Sequence, residues 1–334
     1  MRRLVWLVVV LAALWGGWWA FAAASLSNGA ALWLEDRRSE GWQADTTAIE
    51  VAGFPMALVL TLENPELADP DTGVAFSTAA LKLETPAWWP GHAVLTLPDQ
   101  SFQVATPAER RSVTFEDAQA DLQLRPGTAV ELERTGITSG PWEVLSPVGT
   151  LWGGSGLELA IQQSVDQATQ YTLDASAPTF TPGSVIRSAL RVPADWPIAF
   201  DSLAIAGTVT FDRPIDRRTI EERRPQPRQL DLKLAEAVWG TLSLRASAQL
   251  AVSETGLATG QMSFQARNWQ EILILAEAAG ILPAALRPQI ENVFGALARG
   301  GGNPDAIDLV LDVQDGDIFL GFIPLGQLQP LILR

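Results

Sequence analysis

TLSLRASAQLAV, residues 241–252, sets Thr241, Ser243, Arg245, Ser247 and Gln249 against Leu242, Leu244, Ala246, Ala248, Leu250 and Val252. That two-residue period is the signature of a strand with one apolar face. Twelve such residues span about 40 Å at roughly 3.3 Å each, longer than most strands. After the turn Glu254-Thr255-Gly256 the period returns in QMSFQAR, residues 261–267, with Met262, Phe264 and Ala266 on the apolar side. The two runs predict a long antiparallel hairpin.

Downstream the period changes to that of helices. Asn268 is expected to cap a helix over 269–279, with Glu271 three residues on and Gly280 closing it. A second helix is expected over 288–299, with Pro288 in its first turn and Gly300-Gly301-Gly302 after it. Ile272, Leu275, Ala276 and Ala279 on the first, and Ile290, Val293, Phe294 and Leu297 on the second, form apolar stripes that need a partner. The sheet's apolar face is the available one. Ile307–Val313, an Asp315-Gly316 turn and Ile318–Ile323 complete the C-terminal strands.

Upstream, short runs punctuated by Pro, Gly and Asp predict an antiparallel meander. They are Ala57–Leu62, Val74–Leu83, Ala93–Leu97, Ser101–Val104, Ser112–Phe115, Ala120–Leu124, Ala129–Glu133 and Leu157–Ile161. Pro178, Pro182, Pro193 and Pro197 surround one helical stretch, Ser184–Leu190, and suggest a boundary between lobes 42–190 and 191–334.

At the N-terminus, Leu4–Ala24 runs 21 residues without a charge behind Arg2 and Arg3. A helix of that length covers about 30 Å, the thickness of a bilayer's hydrocarbon core. Residues 4–24 are therefore read as a single-pass membrane anchor, with the N-terminus kept cytoplasmic by the positive-inside tendency and residues 25–334 sent across. A cleaved secretory signal, cut after Ala22-Ala23-Ala24, is the rival. Residues 25–41 continue as a juxtamembrane helix with Leu26, Ala30, Trp33 and Leu34 on one stripe, ended by Gly41. The fold class is thus mainly β (α+β): a transmembrane helix, then a large curved antiparallel sheet with long strands, covered in part by two C-terminal amphipathic helices.

Composition narrows function. Setting aside the two anchor arginines leaves 21 basic against 38 acidic residues, a formal charge of −17, which disfavours nucleic acid. Zero Cys excludes thiolate nucleophiles and cysteine-bound zinc, and one His precludes a multi-histidine metal site. That residue, His92, sits in Trp88-Trp89-Pro90-Gly91-His92 and is read as a turn residue. Gly153-Gly154-Ser155-Gly156 has Leu157 where a nucleophile elbow needs glycine and is read as a loop. Lys82 and Lys233 are read as outward strand residues, and Glu66, Asp69 and Asp71 as a solvated turn in preference to a calcium loop. Neither catalytic residue, nor cofactor, nor metal is expected.

The one basic concentration holds Arg213, Arg217, Arg218, Arg223, Arg224 and Arg228, interleaved with Asp212, Asp216, Glu221 and Glu222. Internal ion pairing is the simple reading. Headgroup or partner contact through Arg217, Arg218, Arg223 and Arg224 is the sharper one. Nine of 13 Trp lie beyond the anchor, read mostly as packing and in part as groove lining.

Gly53-Phe54-Pro55, Trp88-Trp89-Pro90-Gly91-His92, Phe211-Asp212-Arg213-Pro214, Val238-Trp239-Gly240, Asn268-Trp269 and Gly321-Phe322-Ile323-Pro324 resemble, over nearly the whole chain, an uncharacterised family of proteobacterial envelope proteins, domain-of-unknown-function family 2125. The resemblance implies an inner-membrane anchor with a periplasmic β-rich body, and a distant likeness to AsmA-type envelope proteins, whose sheets are thought to handle lipid. It carries over no catalytic residue. The expected function is non-enzymatic: a hydrophobic ligand, lipid above all, shielded in a groove that Leu242, Leu244, Leu250, Met262 and Phe264 would line. An envelope scaffold or assembly factor that binds another protein is the alternative, and a carboxylate-based glycan hydrolase a minor one.

Overall fold

The computed structural model describes residues 1–89, 91–99, 101–127, 129–221 and 223–333. Pro90 and Glu222, named above, lie outside them, as does the side chain of Glu221. The chain begins with α1 (Arg2–Ser39) and continues through β1 (Gln43–Asp45), β2 (Ala48–Ala52), β3 (Ala57–Glu63), β4 (Glu66–Asp69), β5 (Val74–Ser77), β6 (Ala80–Pro86), β7 (His92–Thr96), β8 (Phe102–Ala105), β9 (Arg110–Phe115) and β10 (Gln119–Leu124). Next come β11 (Leu132–Ser146), β12 (Gly149–Gln163), β13 (Gln170–Ala177), β14 (Thr179–Pro182), α2 (Ser184–Ala189), β15 (Ser202–Phe211), α3 (Arg218–Glu221) and β16 (Pro227–Trp239). The chain ends with β17 (Leu242–Val252), β18 (Ala258–Arg267), α4 (Gln270–Ala278), α5 (Arg287–Gly300), β19 (Ala306–Gln314), β20 (Asp317–Leu320) and β21 (Ile323–Gln327).

The chain folds as two compact units, residues 1–124 with 144–147 and residues 125–143 with 148–334. The division falls well before the expected boundary at 190. Tyr171–Ala177 of β13 pairs with Leu203–Val209 of β15 across the proline-rich stretch, so a single ladder runs through the place where two lobes were expected to part.

In the first unit the described strands form two antiparallel ladders, β1-β4-β5-β8-β9 and β2-β3-β6-β7-β10. The expected strand Val74–Leu83 is two strands, because Ser77 leaves one ladder and Ala80 enters the other. His92 opens β7 as an exposed strand residue opposite Gln123. The helix expected over 25–41 is continuous with the apolar stretch, giving one 38-residue α1. Its Ala23 is buried with Leu58 and Ala87, and Trp15, Trp19, Ala22, Leu26 and Val51 pack around them. The turn after β4 is capped by Asp69, whose carboxylate accepts from the Asp71 N–H (2.9 Å) and the Thr72 hydroxyl (2.7 Å). The Thr72 bond, ahead of the Asp71 one, holds that carboxyl below its usual range.

Among the described pairings the second unit carries the antiparallel order β12-β13-β15-β16-β17-β18-β19-β20-β21, with β14 added on β12. The expected 241–267 hairpin is its centre, with Leu244 opposite Ala266 and Ala246 opposite Phe264. The stretch 153–156 is strand rather than loop. Gly153, Gly154 and Ser155 pair with Thr181, Phe180 and Thr179, and a Cβ on Gly154 would stand 2.2 Å from the Thr179 carbonyl oxygen. Close backbone approach explains the glycines there. Asp315 and Gly316 both have positive φ (49° and 90°), as the expected tight turn requires.

Both C-terminal helices form where expected. Asn268 does not cap α4 with its side chain. Its φ is 53°, and its Nδ2 donates to the Thr241 carbonyl at 2.5 Å, tying the helix start to the beginning of β17. Trp269, Leu273, Leu282 and Ala298 bury Ile307 of β19, with Ala266, Leu309 and Phe294 at the margin. Of the expected stripes, Ile272, Ala276, Ile290 and Phe294 pack on this cluster at one end of the sheet's apolar face, whereas Val293 and Leu297 are exposed.

Candidate functional site: an apolar trough on the sheet

The site is built from lateral rows across five strands. One row runs Leu203–Ala237–Leu244–Ala266–Ile307 and the next Ile205–Ala235–Ala246–Phe264–Leu309, each residue paired with its neighbours in register. Alternation puts all ten side chains on one face. A β-bulge between Leu232 and Ala235 keeps β16 in step with it.

Alanines at 235, 237, 246 and 266 are too short to fill the space between Leu203, Ile205, Leu244, Phe264 and Leu309. The result is a trough of about 450 Å³ lined by these residues. Its apolar walls are open: Ile205 is 45%, Leu244 37% and Phe264 40% exposed. Three large side chains on one face are thus left partly in water. On the opposite face Glu236 and Arg245, paired in register between these rows, neutralise each other at 2.5 Å.

The face does not stay open along its whole length. Two rows further on, Gly207–Leu232–Ala248–Met262–Leu311 and Val209–Leu230–Leu250–Gly260–Val313 continue it. There Leu328 and Leu331, beyond β21, pack onto Ala248, Leu250 and Val313. Of the five residues expected to line a groove, the structure brings Leu244 and Phe264 together in the trough. Leu250 and Met262 belong to the covered core, and Leu242 is buried at 5% exposure. The sequence reading missed Leu203, Ile205, Ala235 and Ala237. The alternation of Leu203, Ile205, Gly207 and Val209 was available as a signal, whereas the bulge breaks it in β16.

The model of the family described as "Uncharacterized protein conserved in bacteria (DUF2125)" matches residues 19–329. The chain belongs to this family. No curated protein and no solved structure matches it. The family match begins at Trp19, inside the apolar stretch of α1, a helix long and apolar enough to cross a membrane.

Arg218 and Arg223 of this DUF2125 chain are engaged in local ion pairs. Arg218 donates to Asp216 from its backbone N–H (2.9 Å), Nε (3.0 Å) and Nη2 (2.6 Å). Those bonds, Arg218's side chain first, hold the Asp216 carboxyl below its usual range. Arg223 pairs with Asp212 at 2.8 Å. Burial pushes the Asp212 carboxyl up, but the Gln226 N–H and Arg223 outweigh it and the net shift is downward. Arg217 and Arg224 are exposed.

Tryptophan is used for packing. Phe180 and Phe200 link Trp142, Trp152, Trp239 and Trp196 through ring contacts of 4.6–6.0 Å. The trough contains no Trp among its lining residues, whereas Trp196 and Trp239 line a separate pocket of about 290 Å³.

Proposed function

We propose that this chain is a membrane-tethered, non-enzymatic protein of the bacterial envelope whose trough shields the acyl chain of a lipid. The carrying observation is the row of short alanines that leaves Leu244, Phe264 and Ile205 exposed around about 450 Å³ of apolar space. Ligand pockets occupy roughly 300–1,000 Å³, so the volume suits one chain segment. Burying about eight methylenes there would contribute on the order of 6 kcal/mol, a dissociation constant between roughly millimolar and micromolar. Such affinity suits transient shielding.

The tether reading rests on α1 and on Arg2 and Arg3, which favour a cytoplasmic N-terminus and a periplasmic body. An uncleaved anchor is supported by Trp15, Trp18 and Trp19, whose indole N–H groups donate to Pro55, Ala87 and Ala57 of the body at 2.8–3.0 Å. Cleavage after Ala24 would remove all three.

The test uses the full chain in vesicles that contain a phospholipid with a photoactivatable acyl chain. Crosslinked adducts are expected on 203–205, 235–246 and 264–266, and Ala246→Trp, which fills the floor, should reduce them several-fold. Adducts confined to α1, with those strands unlabelled, would overturn the acyl-chain reading.

A further inference from the structure

Phe54, Met56 and Trp88 are 60%, 60% and 58% exposed, and they cluster beside the first buried turns of α1. Trp19 meets Phe54 edge-on at 5.5 Å, and a Cβ on Gly16 would stand 4.0 Å from the Phe54 ring. Leu4–Leu14 lies outside the body, and from Trp15 onward the helix runs against it.

Those eleven free residues cover only about 16 Å, roughly half of a hydrocarbon core about 30 Å thick. A span that starts behind Arg2 and Arg3 therefore reaches full depth only by including residues 15–23, which are already docked on the β-rich body. The segments beside them must then share their environment.

Their chemistry fits it. Residues 51–58 and 85–89 carry no charge. In lipid, each backbone polar group needs an internal partner. The carbonyls of Pro55, Ala57 and Ala87 accept the indole N–H groups of Trp15 (2.9 Å), Trp19 (2.8 Å) and Trp18 (3.0 Å). The Gly53 and Met56 carbonyls accept backbone N–H groups from Ala57 and Ala87, both at 3.0 Å. Indoles beside uncharged tips that carry Phe, Met and Trp are the composition of a membrane-interface belt.

We propose that the tips 53–56 and 87–88 are immersed in the leaflet on the body's side of the membrane. Phe54, Met56 and Trp88 seat the body on the bilayer as a collar around α1. The partner is a lipid surface, reached by continuity with the spanning helix. The inference rests on the anchoring reading and not on the acyl-chain trough.

The chain contains no cysteine, so single-site labelling is direct. Val9→Cys, Phe54→Cys, Met56→Cys, Trp88→Cys and Asp71→Cys in the full chain would each carry an environment-sensitive fluorophore. They would be reconstituted into phosphatidylcholine–phosphatidylglycerol vesicles with and without acyl-chain spin-labelled lipid. Positions 9, 54, 56 and 88 should be quenched about twofold, as expected of groups within the apolar layer, and position 71 should not. Quenching at 9 with 54, 56 and 88 behaving like 71 would sink the collar while leaving the anchor intact. No quenching at 9 would sink the anchor and the collar together. Met56→Cys is the mildest change and decides the matter should Phe54→Cys or Trp88→Cys fail to fold.

Discussion

The phenolic oxygen of Tyr171 accepts the backbone N–H of Ile215 at 2.8 Å, joining β13 to the segment that leads into the arginine-rich stretch. Gln163 Nε2 donates to the same oxygen at 3.3 Å, and the side chain is 2% exposed. Tyr171→Phe keeps the ring and its edge contact with Phe211 but strands the Ile215 N–H, while Gln163 Nε2 keeps the Ala168 carbonyl at 2.8 Å. The expected loss is about 1–3 kcal/mol, read as a lower denaturant midpoint with unchanged slope.

The same phenol makes an alkaline prediction. Burial is the largest influence on Tyr171 and raises its pKa above 10.0, outweighing the Ile215 and Gln163 bonds. The folded state then holds this proton more tightly than the unfolded state. The contribution is complete below the ordinary value of 10.0 and declines as pH climbs from there through the higher folded value. Since the chain has one Tyr, tyrosinate absorbance near 295 nm reports this group alone. Ionisation at an ordinary pH in the folded protein would contradict the burial.

An acid prediction concerns Asp216, whose side chain is 1% exposed against 51% for Arg218. Its pKa is depressed, so its stabilisation is full above 3.8 and fades as pH falls through the folded value. Asp216→Asn should cost about 1 kcal/mol at neutral pH, solvent screening of Arg218 keeping the figure small. The midpoint gap between variant and parent should close progressively below the usual carboxylate pKa. A gap that persists unchanged into acid would point to packing instead of charge.

The parts of this fold that were readable from residues are those in which one local rule operates undisturbed. β17 and β18 keep strict alternation, and Pro288 and Gly280 punctuate their helices where such residues should. Three features escaped for definite reasons. Residues 153–156 resemble a flexible loop because glycine also serves where another backbone comes close, as Thr179 does to Gly154. Asn268 has the spacing of a capping box, yet the Thr241 carbonyl competes for its side chain. The trough was half visible. Leu244 and Phe264 announced an apolar face, but which part of it stays open depends on Leu328, Leu331 and the α4–α5 pair, contacts distant in sequence.

Two glycines separate steric from conformational cost. Gly260, in mid-strand, has φ +153°, and an added Cβ would meet the Gln249 carbonyl oxygen at 2.0 Å. Gly280 has φ +74° with nothing within 4 Å. Gly280→Ala should lose only about 1 kcal/mol of left-handed strain, whereas Gly260→Ala must push β17 from β18 and should lose more than about 3 kcal/mol. Thermal unfolding of the two variants side by side gives the ordering, and equal losses would refute it.

The helix–body seam offers the last prediction. Trp19→Phe preserves an aromatic ring against Phe54 but removes the donor to the Ala57 carbonyl, for about 1–3 kcal/mol. Trp19→Ala also opens a cavity beside Leu58 and Ala87, for about 3–5 kcal/mol. Because β2, β3 and β6 are one ladder, the weakening should appear as faster amide exchange in Ala57–Leu62 and Ala80–Thr85, with the trough strands β15–β18 unaffected. A chain that begins at Leu26 lacks all three indole donors and should show the same pattern more strongly. Parental exchange rates in Ala57–Leu62 of that shortened chain would mean that α1 merely touches the body, and that the three hydrogen bonds contribute nothing to holding it.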